Sequence, residues 1–202
     1  MTIGAPLLPP PASVSPLNLK VKGPRVTTPN QRFLKISYRG IDYRWTPTAG
    51  FTLASGMSVP AALRPILEAQ IEATLNAEDA AITDAVCLAE RAEQARKLKQ
   101  LSRSEKLAAR AVELAPEDPA IAAVLGAVYC DRNYPQKAIA VTEPFAESDS
   151  AAIQQIRAIA YTDLRRLSLA RPAYKRAIEL LTEAGERPSP ELAELADKLD
   201  KS

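Results

Sequence analysis

The fold is decided by residues 118–141, which read DPAIAAVLGAVYCDRNYPQKAIAV. The Asp-Pro pair that opens this stretch is typical of a helix start, because aspartate accepts free backbone N–H groups and proline fits the first helical turn. Gly126 and Ala138 are small residues that allow two helices to approach closely, and Tyr129 fills a wider gap between them. The stretch therefore predicts a tightly packed helix–turn–helix unit.

The same pattern recurs on both sides of this stretch. Residues 88–116 align with 122–145 at an offset of 34 positions, and residues 154–180 align with the second copy at an offset of 32. A repeated pair of helices of this length resembles the tetratricopeptide repeat (TPR). The second and third copies fit the family pattern. The first departs from it, because Arg91 stands where the family usually has leucine.

The resemblance implies a mostly α fold, a TPR-like helical-repeat solenoid with a C-terminal capping helix, preceded by a small β-hairpin and an extended proline-rich arm. Individual helices are expected over about 59–76 and 78–100, and Ser102 and Ser168 are expected to cap the second helices of the first and third repeats. A non-repeating bundle rich in alanine and leucine is the alternative. The predicted segments are the arm (1–31), the hairpin and a linker (32–57), a leading helix (58–84), three repeats (85–118, 119–150, 151–186) and a capping helix (187–202).

Stacked helix pairs curve, and in this family the first helix of each pair lines a concave face that suits an extended peptide or a partner helix. Ala123 and Ala127 would leave the middle of that face nearly smooth. The face lacks the Lys/Arg/Asn set with which chaperone-binding repeats hold a C-terminal carboxylate, so that ligand is not expected. The alternative for the repeat tyrosines and for Cys130 is a plain core position. Carried over position by position, the resemblance implies a partner-binding set of Glu93, Arg96, Lys97, Cys130, Asp131, Gln155, Ile159, Thr162 and Asp163.

Residues 33–46, FLKISYRGIDYRWT, alternate between apolar and polar side chains on both sides of Arg39-Gly40, which predicts a β-hairpin. An isolated hairpin is marginal in water, so its aromatic face must pack on the helical body or on another protein. Residues 35–43 resemble a small cyanobacterial domain of unknown function that has a Tyr-Arg-Gly motif between two short strands. The predicted cross-strand pairs are Leu34 with Trp45, Ile36 with Tyr43, and Tyr38 with Ile41.

Charge is distributed unevenly along the chain. Residues 1–50 contain seven basic residues and one acidic residue, a charge of +6, so the net charge of +2 leaves −4 for the remainder. Seven of the 17 prolines lie in residues 1–31, which excludes a helix or a central strand there. A solvated arm without a partner is the alternative to a binding role. The arm and hairpin are expected to bind an acidic surface through Lys20, Lys22, Arg25, Arg32, Tyr38, Arg39, Tyr43 and Trp45.

Several classes of function are excluded by composition. The chain has no histidine and only two cysteines, Cys87 and Cys130, which removes imidazole catalysis, histidine metal sites and a Cys-x-x-Cys cluster. There is no glycine-rich phosphate loop, and the acidic pairs lie at helix boundaries, where capping explains them. We therefore predict no catalytic residues, no cofactor and no metal. No apolar run approaches the roughly 18 residues of a membrane-spanning helix.

These observations predict a non-enzymatic scaffold or linker subunit that binds other proteins. Its partners are expected to be subunits of a larger complex with an acidic surface, without a small-molecule substrate, and the Tyr-Arg-Gly resemblance implies a cyanobacterial photosynthetic or light-harvesting assembly. The expected location is cytoplasmic, with peripheral association at a membrane complex left open. The alternative is a nucleic-acid-binding accessory protein that uses the basic aromatic hairpin. Alternation places most aromatic and most basic side chains on opposite faces, which weakens that alternative.

Overall fold

The computed structural model describes residues 34–46, 49–53, 55 and 57–200, with side chains up to residue 198. The arm predicted for residues 1–31 lies outside the described residues. The described part forms three strands followed by eight α-helices. The strands are β1 (Leu34–Tyr38), β2 (Ile41–Thr46) and β3 (Gly50–Leu53), and the helices are α1 (Arg64–Ala80), α2 (Ala85–Lys97), α3 (Leu101–Leu114), α4 (Pro119–Asp131), α5 (Pro135–Thr142), α6 (Ala151–Asp163), α7 (Leu167–Glu183) and α8 (Pro190–Asp200).

The helices form the repeating arrangement that the sequence pattern predicts. α2 packs against α3, α4 against α5, and α6 against α7, while α2, α4 and α6 also contact one another in succession. α8 packs against α7 at the end of the array. Ala138 and Ala170 are fully buried between the helices of their pairs. The fold prediction of a helical-repeat solenoid with a terminal capping helix is confirmed.

Two predicted helix spans differ from the structure. α1 continues to Ala80 and α2 begins only at Ala85, so the helix expected over about 78–100 is wrong. Asp84 explains the break, because its side chain accepts the backbone N–H of Cys87 at 2.7 Å and satisfies a free donor at the start of α2. An aspartate that caps a helix in this way favours a new start over the continuation of α1.

The predicted serine caps of the second helices are also wrong. α3 begins at Leu101 and α7 at Leu167, so Ser102 and Ser168 already lie inside the first turns. Neither helix start has a side-chain cap. Because the turn between the two helices of a pair is short, the second helix begins one residue before the serine that was predicted to cap it.

Close packing explains the small residues of the repeat. A Cβ atom on Gly126 would lie 2.9 Å from Cγ2 of Ile156 on α6 and 3.2 Å from Cγ2 of Thr142 on α5. Only a residue without a side chain fits there without displacing its neighbours. Ser104 occupies the position of Ala138 in the first repeat, is fully buried, and donates its hydroxyl to the carbonyl of Ala92 at 2.7 Å.

The N-terminal strands form an antiparallel sheet in the order β1-β2-β3. The predicted hairpin register is confirmed, because Leu34 pairs with Trp45 and Ile36 with Tyr43. Arg39 and Gly40 have φ values of 51° and 78°, as a two-residue hairpin turn requires. β3 was predicted as part of a linker, and it pairs with β2 from residues 50–53.

The apolar face of the sheet packs on α1. Tyr43 is 2% exposed and forms a core with Val59 and with Leu67 of α1. Ile36 and Phe51 pack around that core. The hairpin is therefore attached to the helical body through the leading helix.

Candidate functional site

The shared face of α2, α4 and α6, called the concave face below, holds an ion cluster. Arg96 donates to both carboxylate oxygens of Glu93 with N···O distances of 2.7 and 2.8 Å, and to Asp131 on α4 at 3.0 Å. Glu93 and Arg96 are only 5% and 4% exposed. Lys97 lies 3.5 Å from Glu93 at the edge of the cluster. The predicted basic end of the face is therefore neutralised within the chain.

The chemistry of this cluster limits what Arg96 can bind. Burial lowers the pKa of Arg96, but hydrogen bonds and charges of Glu93 and Asp131 outweigh burial and raise that pKa above its usual value. The guanidinium stays protonated, and its N–H groups point at carboxylates of its own chain. A cation committed in this way does not serve as a clamp for a partner's terminal carboxylate.

Cys130 lies between α4 and α6 in the middle of the concave face. Its Sγ atom is 4.0 Å from the backbone oxygen of Ile156. Burial raises the pKa of the thiol to about 12, and the negative charges of Asp163 and Asp131 contribute to the rise. The thiol is therefore protonated at neutral pH, which disfavours a role as a nucleophile there.

Asp163 ends α6 on the same face. Burial raises the pKa of this carboxyl group, and the nearby charge of Arg165 lowers it in part. No ion pair holds the carboxylate among the described residues. The adjacent Thr162 is committed to the fold, because its hydroxyl donates to the carbonyl of Ala158 at 2.8 Å and its side chain hydrogen-bonds buried Tyr174.

The structure divides the nine predicted concave-face residues into three groups of three by their exposure. Glu93, Arg96 and Ile159 are buried, and Ile159 packs in a core with Tyr174 and Leu192. Ala123 and Ala127 are buried as well, so the floor is closed. Cys130, Gln155 and Thr162 are half-buried, and the side chains most accessible to a partner are Lys97, Asp131 and Asp163.

A second ion cluster, which sequence reasoning missed, joins α1 to the first helix pair. Arg91 donates to Asp79 at 2.9 Å, and Arg103 donates to the same carboxylate at 2.7 and 2.9 Å. Arg110 donates to the backbone oxygens of Asp79 and Ile82 at 2.9 and 2.7 Å, which caps the end of α1. Arg91 departs from the repeat pattern because its neighbour is a carboxylate instead of an apolar side chain.

At the corresponding position of the third repeat, Arg157 also pairs with a carboxylate. Arg157 pairs with Glu143, which follows α5, at 2.6 Å, and donates to the hydroxyl of Tyr161 at 3.0 Å. Arg91 and Arg157 are 66 positions apart, the sum of the two repeat offsets of 34 and 32. Two arginines at corresponding repeat positions are the sequence signal from which their ion pairs with Asp79 and Glu143 could have been predicted.

A cavity of about 380 Å³ opens between β2, α1 and the start of α3. Its lining combines apolar side chains with acidic side chains of α1 and basic side chains from the turn before α3 and from α3 itself. Sequence reasoning placed Trp45 on a binding surface but missed the cavity, which depends on how α1 lies against the first helix pair. The cavity is lined by the apolar side chains of Trp45, Ile71, Leu75 and Leu101, by acidic Glu68 and Glu72, and by basic Lys99 and Lys106, among others.

The hairpin residues proposed for binding are largely used in packing. Tyr43 is buried against α1, Tyr38 packs at the edge of the same core, and the guanidinium of Arg39 lies 5.4 Å from the Tyr38 ring centre. A buried Tyr43 is not available to stack on a base, which does not favour the nucleic-acid alternative. The other residues of this set, Lys20, Lys22, Arg25 and Arg32, lie outside the described residues.

No protein-family model and no curated protein matches the sequence. Three solved structures are similar in fold. The first TPR domain of human RPAP3 is 16% identical with a TM-score of 0.52, covering 58% of this chain and 90% of that one. The first TPR of Spaghetti (RPAP3), bound to an HSP90 peptide, is 16% identical with a TM-score of 0.51, covering 58% and 91%. The Sgt2 TPR domain from Aspergillus fumigatus is 19% identical with a TM-score of 0.53, covering 59% and 79%.

These similarities show that the helical array has a TPR-like fold. They do not bear on the Tyr-Arg-Gly resemblance of residues 35–43, which stays a prediction. Among the described helices, none has both the length and the apolar character needed to cross a membrane.

Proposed function

We propose that this chain is a non-enzymatic scaffold that holds an extended segment of a partner protein on its concave face. The observation that carries the proposal is the charge arrangement on that face. Arg96 is neutralised by its own chain, whereas the Asp163 carboxylate has no ion pair among the described residues. A partner segment with basic side chains complements this face.

The chemistry differs from that of the Spaghetti TPR structure, whose peptide, SRMEEVD, is acidic at its C-terminal end. In this chain, the accessible side chains of the concave face are two carboxylates, Asp131 and Asp163, and one cation, Lys97, which lies 3.5 Å from Glu93. Like charges placed opposite each other at an interface disfavour binding. We therefore expect a basic segment to bind in preference to an acidic one.

The test uses two fluorescent peptides of equal length, one of alternating leucine and lysine and one with glutamate in place of lysine. Fluorescence anisotropy should show tighter binding of the lysine peptide to the full chain. Asp163→Asn should weaken that binding by about 0.5–1 kcal/mol, or two- to fivefold, as for a partly exposed ion pair. Glu147→Gln, an exposed carboxylate after α5, is the matched control and should change nothing.

Preference for the glutamate peptide, or equal losses from Asp163→Asn and Glu147→Gln, would contradict the proposed charge preference.

We also propose that the basic arm binds an acidic protein surface, so that the chain links two partners. Its support is the charge of +6 in residues 1–50, four of whose seven basic residues precede β1. Deletion of residues 1–33 keeps the sheet on α1, whereas a cut at residue 57 would expose Leu67. The deletion should weaken binding to polyglutamate and leave binding of the lysine peptide unchanged. Polyglutamate binding of unchanged strength would refute a role for the arm.

The Tyr-Arg-Gly resemblance supports a cyanobacterial photosynthetic or light-harvesting assembly as the source of the partners. Affinity purification of the tagged chain from a cyanobacterial lysate should then recover pigment-bearing complexes, which visible absorbance detects. A purified fraction without pigment would contradict this assignment while leaving the peptide test unaffected.

A further inference from the structure

The turns that join the two helices of each pair share a backbone feature. Lys99, Asn133 and Arg165 occupy the same position in the three turns, with φ values of 59°, 61° and 58°. This left-handed conformation suits glycine and is strained for lysine and arginine. Strain of this kind persists only where the surrounding structure imposes it, and it is found frequently at functional sites. The sequence keeps a cation at two of the three positions.

The three turns lie along one edge of the solenoid, because the ends of α2, α4 and α6 are neighbours. Arg96 near the end of α2 contacts Asp131 at the end of α4, and Cys130 beside it contacts α6. The basic edge is defined here as the cationic residues in and directly after these turns, Lys99, Arg132, Lys137, Arg165 and Arg166, together with Lys106 in the second turn of α3. Arg103 in the first turn of α3 is not included, because its guanidinium is held by Asp79.

Most of these cations are available to a partner. Lys99, Lys106 and Arg166 are exposed and form no ion pair among the described residues. Arg132 pairs with Glu105, and Lys137 lies 5.1 Å from the ring centre of Tyr134. The opposite edge of the solenoid, made by the connections between successive pairs, is acidic instead, with Glu117, Glu147 and Asp149.

Large apolar side chains accompany the cations on the basic edge. Tyr134 is 41% exposed, Leu167 is 38% exposed and Leu169 is 45% exposed. All three directly follow turns of the basic edge. An acidic protein or a nucleic acid backbone would pair with the cations but would give exposed leucines little to bury into. The boundary between lipid headgroups and acyl chains accommodates both kinds of side chain.

We propose that the basic edge docks on an anionic lipid surface, with the cations at the headgroups and the apolar side chains of the turns inserted between them. The acidic opposite edge then faces away from the membrane, which fixes one orientation. Asp131 and Asp163 end α4 and α6 directly before two of these turns, so the accessible part of the concave face adjoins the docked edge. This inference rests on the fold and on the turns, independently of the peptide preference.

The test measures binding of the full chain to phosphatidylcholine vesicles with and without phosphatidylglycerol by cosedimentation. The double variant Lys99→Gly, Arg165→Gly removes two cations and relieves both strained positions. We expect about fivefold weaker binding for each cation removed, or about 25-fold in total. Its melting temperature should equal or exceed that of the wild type, so a loss of binding cannot come from unfolding.

Two further variants separate the competing partners. Arg187→Gly removes one cation from the opposite edge and should leave vesicle binding unchanged. Leu169→Gln should weaken vesicle binding without loss of stability. Unchanged binding of the double variant, equal binding to vesicles lacking phosphatidylglycerol, or equal loss with Arg187→Gly would overturn the proposal. The proposal would also be overturned if the double variant bound vesicles more weakly while Leu169→Gln bound them as tightly as the wild type. That result would favour an acidic protein or a nucleic acid as the partner.

Discussion

Replacing Asp79 with asparagine tests the junction between α1 and the first repeat. Asp79 is 7% exposed and accepts hydrogen bonds from both Arg91 and Arg103. Removing one partner of a buried charge cluster costs roughly 3–5 kcal/mol. The side chains of Arg91 and Arg103 are 29% and 21% exposed, so hydration of the unpaired guanidinium groups offsets part of that cost. We expect the free energy of unfolding to fall by about 2–3 kcal/mol, or about 4–12 °C in melting temperature.

Urea unfolding followed by circular dichroism measures this change as a lower midpoint at an unchanged slope. The matched control is Glu78→Gln, the neighbouring carboxylate, which lies 3.4 Å from Arg91 and is 32% exposed. It should lower the free energy of unfolding by less than about 1 kcal/mol. A wild-type midpoint for Asp79→Asn, or an equal cost for the two variants, would refute the role assigned to Asp79.

Two further predictions concern the repeat core and the thiols. Gly126→Ala should lower the free energy of unfolding by about 1–2 kcal/mol, because crowding against Ile156 and Thr142 outweighs the gain of about 1 kcal/mol in helix propensity, and a raised melting temperature would contradict this. At pH 8 about one Cys130 thiol in 10⁴ is ionised, given a pKa of about 12, so iodoacetamide should label it far more slowly than Cys87. Asp84 raises the pKa of Cys87 through a hydrogen bond, so Cys87 should in turn react more slowly than free cysteine; equal rates at the two thiols by mass spectrometry would contradict the burial of Cys130.

The repeating part of the fold was predictable because its constraints are local and steric. A residue as small as Gly126, or an alanine at positions 138 and 170, is required wherever two helices nest, so the sequence shows it at a regular spacing. β3 was missed because four residues carry too little alternation to stand out from a linker. Its pairing depends on β2, whose register the alternation did predict.

The candidate site was less predictable because charge pairing depends on three-dimensional neighbours. The family position of Arg96 predicts an accessible cation, yet Glu93 and Asp131 enclose it. Ile159 was placed on the concave face by the same reasoning, but it is buried in a core that also contains Tyr174 of α7 and Leu192 of α8. A repeat pattern gives the helix face of a residue but does not give the partner that arrives from another helix.

The arginines at the seventh position of the first and third repeats also determine the order of the helix pairs. Arg91 and Arg157 each require a carboxylate on the element that precedes their pair, whereas Leu125 at the same position of the second repeat packs among apolar side chains that include Ala111. Exchanging the second pair with the first or the third would place a guanidinium against hydrocarbon and a leucine against carboxylates. The second module is therefore not interchangeable with the other two, and lengthening the array by copying the first or the third would require a matched acid in front of each inserted arginine.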